Sequence, residues 1–253
     1  MAFYQKETEK KLIGIVPEVL KTRVISQVRA DRVLVLSPHP DDDALGCGGI
    51  LKMLSDNGAK IKVIYFSDGS QGNRENKSDV ELVEVRENEA REAGKILGVG
   101  EEKFLRLPDT RLTSDSEIVT QIRREIEFEK YDLILAPSFD DPHPDHHAVA
   151  VMLGMALRNF DQHINIWLYE IWGTGRINRL FLIDKLIDDK IEALRQHKSQ
   201  MKVKRYDEAV MALNHFRALS AGVGEYAEAF WVIGPREYRK LVEVFGRHHQ
   251  SRN

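Results

Sequence analysis

The chain has 253 residues, of which 42% are hydrophobic and 30% are charged, a balance typical of globular proteins. Its 37 basic and 40 acidic side chains give a net charge of −3, which argues against nucleic-acid binding because that function needs a basic surface. The single cysteine, Cys47, excludes an intrachain disulfide, cysteine-based zinc fingers and iron–sulfur clusters.

The first 30 residues predict a helical extension and not an export signal. Charged residues interrupt the apolar ones in MAFYQKETEKKLIGIVPEVL, so the continuous apolar region of a signal peptide is missing. The longest apolar run, residues 148–157, is about half as long as a membrane span. We therefore expect a soluble, cytoplasmic protein with no membrane span, a single α/β domain at residues 31–246 and a tail at residues 247–253.

Short apolar runs alternate with helical patterns along this domain. The pattern predicts a doubly wound, Rossmann-like α/β fold with a mainly parallel sheet and helices on both faces. The predicted strands are residues 33–36, 61–66, 103–107, 133–135, 164–169 and 230–233. The predicted helices are residues 50–57, 79–97, 117–128 and 145–160, and the part from about residue 184 onward is expected to be mainly helical.

Two polar segments follow predicted strands. The first is Ser-Pro-His-Pro-Asp-Asp-Asp at residues 37–43, and the second is Asp-Asp-Pro-His-Pro-Asp-His-His at residues 140–147. Both lie after the carboxyl ends of presumed parallel strands, the edge at which open α/β sheets bind ligands. The two segments meet in space if their strands are neighbours in the sheet.

The residue types in these segments suit a catalytic metal site. Catalytic zinc takes imidazole nitrogens and carboxylate oxygens from three residues and keeps a fourth position open. His39, Asp42 and His146 can supply the three ligands. Asp41 would then lie beside the metal, where a carboxylate can remove a proton from an activated water. This set predicts a metal-assisted hydrolase of amides or esters.

The second segment offers two further groups. As an imidazolium, His143 can stabilise the oxyanion of a tetrahedral intermediate or protonate a leaving amine. Asp145 can accept the free N–H of a liganding histidine and so fix its tautomer. His146 and His147 are adjacent in the sequence, and a regular helix cannot direct both of them at one metal ion.

Together these segments resemble the PIG-L/LmbE-like family of zinc-dependent N-acetylglucosaminyl deacetylases. Residues 38–42, Pro-His-Pro-Asp-Asp, are similar to the family motif His-Pro-Asp-Asp-Glu, and residues 143–146, His-Pro-Asp-His, are similar to its second motif. The resemblance covers roughly residues 31–233. Weaker likenesses within it are Gly48-Gly49, Ser67-Asp68-Gly69, Arg86, Glu89, Leu107-Pro108-Asp109, His197-Lys198-Ser199-Gln200 and Ala227-Glu228-Ala229-Phe230.

The resemblance implies one Zn²⁺ per chain, with His39, Asp42 and His146 as ligands, Asp41 as general base and His143 as electrostatic or acid partner. Other divalent transition metals also suit such a donor set. The implied substrate is a small N-acetylated amino sugar or its conjugate, which loses its N-acetyl group. Relatives often form homo-oligomers, so the resemblance also implies a homo-oligomer.

Several residues keep two interpretations. Asp43 stands where the family motif has Glu, and we expect it to cap the following helix. Arg74, on the polar loop at residues 67–78, is either a substrate contact or a surface arginine. Asp109 is either a turn residue or a substrate contact, and Trp172 either belongs to the core or lines a sugar-binding wall.

Two other functions remain open on the sequence alone. One is an amidase of the same mechanism that cleaves a larger acyl group or a thiol-sugar conjugate. The other is a sugar- or nucleotide-binding α/β module without catalysis. The glycines near Cys47 do not favour a dinucleotide site, because their spacing lacks the third glycine of the G-x-G-x-x-G fingerprint.

Overall fold

The computed structural model describes residues 22–72, 78–160, 163–202 and 204–250. Its strands are β1 (Arg23–Ile25), β2 (Arg32–Ser37), β3 (Lys60–Ser67), β4 (Glu101–Leu107), β5 (Leu133–Pro137), β6 (Asn165–Tyr169), β7 (Arg179–Leu182) and β8 (Ala227–Ile233). Its helices are α1 (Asp42–Asp56), α2 (Asp79–Leu97), α3 (Ser116–Glu129), α4 (Pro144–Ala156), α5 (Ile187–Gln196), α6 (Lys198–Met201), α7 (Tyr206–Ala221) and α8 (Pro235–Gln250).

These strands form one sheet in the order β1-β7-β8-β6-β5-β2-β3-β4. Neighbouring strands are parallel except at β8, which is antiparallel to both β6 and β7. The predicted doubly wound, mainly parallel α/β fold is therefore confirmed. In the described part of the chain, no helix combines the length and apolar character needed to cross a membrane.

Both faces of the sheet are covered by helices. Successive side chains of a strand point to opposite faces, so Val33 and Val35 of β2 enter one core while Leu34 and Leu36 enter the other. Helices α1, α2 and α5 contribute to the first core, and α3, α4 and α8 to the second. This double burial explains why β2 and β5 are continuous apolar runs in the sequence.

The chain differs from the predicted elements at its two ends. Residues 22–30 contain the short strand β1 and no helix, so the predicted helical extension is wrong there, and residues 1–21 lie outside the described part. Strand β1 and its partner β7 are too short to give a periodic signal, and their backbone pairing stabilises both. Helix α8 continues to residue 250, into the segment predicted as a tail.

Candidate metal centre and active site

Strand pairing brings the two polar segments together. Strands β2 and β5 are parallel neighbours, with Val33 opposite Leu133 and Val35 opposite Leu135. The loops that follow them therefore meet at one edge of the sheet, as the sequence predicts. Three side chains of these loops, His39, Asp42 and His146, converge there and are 8%, 1% and 0% exposed.

The facing atoms of these three side chains are spaced like the ligands of one metal ion. His39 Nδ1 lies 2.9 Å from Asp42 Oδ2, His146 Nε2 lies 3.1 Å from the same oxygen, and the two nitrogens are 3.3 Å apart. Ligands about 2.0–2.1 Å from a tetrahedral zinc ion stand roughly 3.3 Å from one another. The donor types and their spacing therefore fit zinc.

Helix termini place these side chains. Asp42 lies in the first turn of α1 and accepts a hydrogen bond from the backbone N–H of His39 at 2.9 Å, which closes the loop between them. Helix α4 begins at Pro144, a favoured first residue, and carries His146 into the cluster. His147, one residue on, lies instead against Phe139, whose ring centroid is 6.3 Å from that of His147.

Carboxylates surround the far side of each imidazole. Nε2 of His39 lies 3.2 Å from Asp109 Oδ1 and 3.3 Å from Asp145 Oδ2. Nδ1 of His146 lies 3.1 Å from Asp141 Oδ1. Such outer carboxylates fix the tautomer and orientation of liganding histidines. Asp141 is a site residue without a predicted role, although its place on the same loop, five residues before His146, is a signal for one.

Two further groups that share His39 could hold a cation: one is His39 with His143 and His146, and the other is His39 with Asp109 and Asp145. The two carboxylates, however, already accept backbone hydrogen bonds. Asp109 Oδ2 accepts from the Gln71 N–H at 2.9 Å, and Asp145 accepts from the N–H groups of Thr110 and Leu112 at 2.8 and 3.1 Å. Asp42 Oδ2 also accepts a backbone hydrogen bond, so donor atoms lie on both sides of the His39 ring, and the Nδ1 side is the one that combines two imidazoles with a carboxylate.

Charge complementarity within the cluster is strong. Burial opposes protonation of His146, yet Asp42 and Asp141 raise its pKa to about 9. Despite burial, which favours the neutral acid, the two histidines lower the pKa of Asp42. Against the effect of burial, Asp42 likewise raises the pKa of His39, so a metal ion at this position competes with protons for both imidazoles.

Asp41 is paired with Arg86 beside this cluster. Its Oδ2 atom lies 3.1 Å from Nη2 of Arg86, and Nη1 of Arg86 donates a 2.9 Å hydrogen bond to the carbonyl of Gly69. A Cβ atom at Gly69, where φ is +65°, would lie 2.6 Å from Arg86 Nη1, so this close approach requires glycine. Burial raises the pKa of Asp41, and the guanidinium partly offsets that rise.

His143 caps α4 and is held in one tautomer. Its Nδ1 atom accepts a 3.2 Å hydrogen bond from the Asp145 N–H, which leaves the ring proton on Nε2. Burial, together with the charges of His39 and His146, lowers its pKa. The geometry thus favours a neutral imidazole that donates from Nε2, which differs from the imidazolium considered in the sequence analysis.

Asp43 is not the cap that the sequence predicts. Helix α1 begins at Asp42, with Asp41 at the N-cap position, so Asp43 lies within the first turn and is buried. There its carboxyl group accepts a 3.1 Å hydrogen bond from the Tyr65 hydroxyl. Burial, and then the charge of Glu102, raises its pKa to about 7.

An open cavity of about 320 Å³ lies over the cluster. It is lined by His39, Asp41, Asp42, Gln71, Gly72, Arg86, Asp109, Thr110, His143, Trp172, Gln200, Lys204 and Tyr206. Its volume is that of a small-molecule site. Of the predicted substrate contacts, Asp109 and Trp172 line this cavity, and Arg74 lies outside the described residues.

The sequence of this chain is similar to those of known proteins. The family model described as PIG-L, GlcNAc-PI de-N-acetylase, matches residues 34–157. Diacetylchitobiose deacetylase of Thermococcus kodakarensis is 32% identical over 190 residues, which cover 67% of this chain and 70% of that protein. The probable N-acetyl-alpha-D-glucosaminyl L-malate deacetylase 2 of Bacillus cereus is 25% identical over 182 residues, covering 66% of this chain and 83% of that protein.

The fold is also found in solved structures. N,N'-diacetylchitobiose deacetylase from Pyrococcus horikoshii superposes with a TM-score of 0.75 and 28% sequence identity, over 83% of this chain and 86% of that one. Sequence identity, matched length and fold all agree with the resemblance carried by the two polar segments. The chain therefore belongs to the PIG-L (GlcNAc-PI de-N-acetylase) family.

Proposed function

We propose that this protein is a metal-dependent hydrolase that removes the N-acetyl group from an N-acetylated amino sugar or its conjugate. The observation that carries the proposal is the convergence of His39 Nδ1, Asp42 Oδ2 and His146 Nε2 within 3.3 Å of one another. Asp41 lies beside these atoms at the base of an open cavity. The names of the two relatives, both deacetylases of N-acetylated sugars, support the substrate class.

The three converging residues would hold one metal ion, and Zn²⁺ is the ion we propose. When bound, zinc supplies Lewis-acid polarisation of a carbonyl and lowers the pKa of a water molecule. Asp109, Asp145 and Asp141 would hold the two imidazoles in the liganding orientation.

Asp41 is the proposed general base. A base works best when its pKa is close to the working pH, and burial raises the pKa of this carboxyl group. Arg86 keeps the side chain in place through its 3.1 Å contact with Oδ2. Asp41 can therefore take a proton from the attacking water and later deliver it to the departing amine.

His143 is the proposed oxyanion partner. Its Nδ1 atom is occupied by the Asp145 N–H, so the Nε2–H group is free to donate to the carbonyl oxygen of the acetyl group. A neutral donor of this kind strengthens its hydrogen bond as negative charge develops on that oxygen in the transition state.

Adjacent histidines provide a matched test of the metal site. Zinc content would be measured by mass spectrometry on protein purified without chelator or histidine tag. We expect about one zinc ion per chain in the wild type and in His147→Gln, and almost none in His146→Gln or Asp42→Ala. Equal zinc content in His146→Gln and His147→Gln would refute the proposed ligand set.

Acetate release tests the chemistry. With N-acetylglucosamine and diacetylchitobiose as substrates, we expect Asp41→Asn to keep its zinc and to lose about 100-fold or more in kcat. If the protein hydrolyses only substrates with longer acyl groups, or only thiol-sugar conjugates, it is instead an amidase that acts on those substrates. Binding of the sugars without any product, by wild type and Asp41→Asn alike, would identify a binding module.

A further inference from the structure

A second cavity lies at the edge of the sheet opposite to the proposed metal site. Leu133, Asn165 and Arg179, which line it, are the first residues of β5, β6 and β7. The proposed metal ligands, in contrast, follow the last residues of β2 and β5. Among the described residues, the two cavities have no lining residue in common. The second cavity is therefore a separate site.

Four apolar side chains line one part of the second cavity. They are Val28, Leu133, Trp167 and Val232, which belong to the first core or pack against it. Trp167 is 6% exposed, and its ring centroid lies 5.3 Å from that of Phe230 at an angle of 60°, so the indole is held in place before any ligand arrives. The cavity volume is about 190 Å³, whereas a closed apolar cavity of about 150 Å³ is large enough to hold benzene. One ring and a small substituent therefore fit.

Arginine side chains give the second cavity a positive charge. Arg29 and Arg179 line it, and Arg23 lies opposite Arg179 in the pairing of β1 with β7. Burial, and then the charge of Arg23, lowers the pKa of Arg179, because both disfavour a positive charge at this position. In the part of the chain that the structure describes, none of these three arginines forms an ion pair.

The acidic residue beside this cavity has other partners. Asp132 directly precedes Leu133, and its Oδ2 atom accepts from the N–H groups of Asp31 and Arg32 at 2.8 and 2.9 Å. Guanidinium groups bind carboxylates through two parallel hydrogen bonds, and arginine is the usual residue in partly buried ion pairs. A carboxylate on a ligand would therefore supply the counter-charge that the described residues do not.

We propose that the second cavity binds a small organic acid, with one carboxylate on an apolar body about the size of a single ring. The ring packs against Trp167 and Val28, and the carboxylate pairs with Arg29 and Arg179. This pairing also relieves the repulsion between Arg179 and Arg23. The inference does not depend on the proposed function, because no residue of the metal cluster takes part in it.

Titration calorimetry of the full chain tests the class of ligand. Benzoate combines the ring with the carboxylate, benzamide lacks the charge and acetate lacks the ring. We expect benzoate to bind about tenfold tighter than benzamide, the size of one charge-assisted hydrogen bond. It should also bind about tenfold or more tighter than acetate, because burial of a ring has at least that effect. Phenyl phosphate should bind more weakly than benzoate, because its anionic group is bulkier, and the opposite order would overturn the choice of a carboxylate.

Variants assign the binding to the second cavity. Arg179→Gln should bind benzoate about tenfold more weakly than the wild type and benzamide equally well. Arg29→Gln should show the same change, and it alters an exposed side chain that the fold does not need. Arg124→Gln is the matched control, because Arg124 is an exposed arginine on α3 outside the cavity. A carboxylate can also bind a metal ion, so Asp42→Ala, which should lack the metal, should still bind benzoate.

Three results would overturn the inference. The first is a wild type that does not bind benzoate, or that binds benzoate and benzamide equally well. The second is an affinity for benzoate that is unchanged in both Arg29→Gln and Arg179→Gln. The third is a benzoate affinity that is lost in Asp42→Ala and kept in both arginine variants, which would place the ligand at the metal site.

Discussion

At the scale of single residues, Asp141 connects three parts of the site. Its Oδ1 atom accepts from the His143 N–H at 2.9 Å and lies 3.1 Å from Nδ1 of His146. Its Oδ2 atom accepts from the Trp172 N–H at 3.0 Å. One buried carboxylate thus orients a proposed ligand, the loop of the proposed oxyanion donor and the wall of the cavity.

Replacing this carboxylate should weaken metal binding. An amide at position 141 keeps the shape but loses the charge that supports His146, so we expect Asp141→Asn to bind zinc about 10- to 100-fold more weakly. Competition with a chelating dye measures the dissociation constant. Asp140→Asn is the control, because the neighbouring Asp140 contacts Arg176 and not the histidines. Unchanged zinc affinity in Asp141→Asn would contradict the assigned role.

At the scale of elements, α1 is built around an interruption. Cys47 has a non-helical φ of −142°, and the helix resumes after it. Glu228, on β8, accepts from the N–H groups of Gly49 and Ile50 at 2.8 and 2.9 Å and so caps the second part of the helix. Lys190 lies 2.6 Å from the same carboxylate.

This pair should be strongly coupled in stability. Lys190 and Glu228 are both fully buried, so Glu228→Gln leaves an ammonium group without a counter-charge and should cost about 3–5 kcal/mol in the free energy of unfolding. The double variant Lys190→Met/Glu228→Gln removes that charge and should recover part of the loss. Urea denaturation of both single variants and the double variant measures this coupling, and additive effects would contradict it.

Glycine allows the same helix to approach the sheet. A Cβ atom at Gly46 would lie 2.3 Å from Cδ2 of Tyr169, and one at Gly49 would lie 2.6 Å from Ile183 Cγ2. The hydroxyl of Tyr169 donates to the Leu36 carbonyl at 2.7 Å, so that ring has little freedom to move. Close packing of the helix against the sheet accounts for these glycines.

At the scale of the whole molecule, the order of the strands creates the site. Strand β2 lies between β5 and β3, and the loops after β2 and β5 carry the converging side chains. Ligands of open α/β sheets bind in the crevice where the strand order reverses. Helix α1 and helix α4 then cover opposite faces, so their first turns face each other across this crevice.

A metal ion bound across these two helices should stabilise the entire fold. At a fixed free zinc concentration, about 100 times the dissociation constant at pH 8, the free energy of unfolding at pH 8 should rise by about 2.7 kcal/mol. At this fixed zinc concentration the gain should shrink as the pH falls below about 9, because, despite burial, Asp42 and Asp141 raise the pKa of His146 to about 9 and protons then compete with zinc for its imidazole. Thermal unfolding with and without zinc, at pH 8 and at pH 6, measures this pH dependence. A zinc-induced rise in melting temperature that is equal at both pH values would contradict it.

The fold class, and the convergence of the two polar segments, can be predicted from the amino-acid sequence alone. Buried strands and amphipathic helices have distinct apolar periods, and helix α2 was predicted with its observed bounds, Asp79–Leu97. The two polar segments also identified His39, Asp42 and His146 as residues that converge. These features can be predicted because both the apolar periodicity and the types of metal-donor residue are local properties of the sequence.

The edge strands, the long-range contacts of the site and the tautomer of His143 depend on tertiary structure. Strands β1 and β7 are stabilised by pairing with each other and with β8, and residues 23 and 179 are far apart in the sequence. The contact of Asp141 with Trp172 and the cap that Glu228 provides for α1 likewise join distant segments. The tautomer of His143 follows from one backbone hydrogen bond. Such interactions depend on which segments the fold brings into contact, and no local pattern in the chain encodes that.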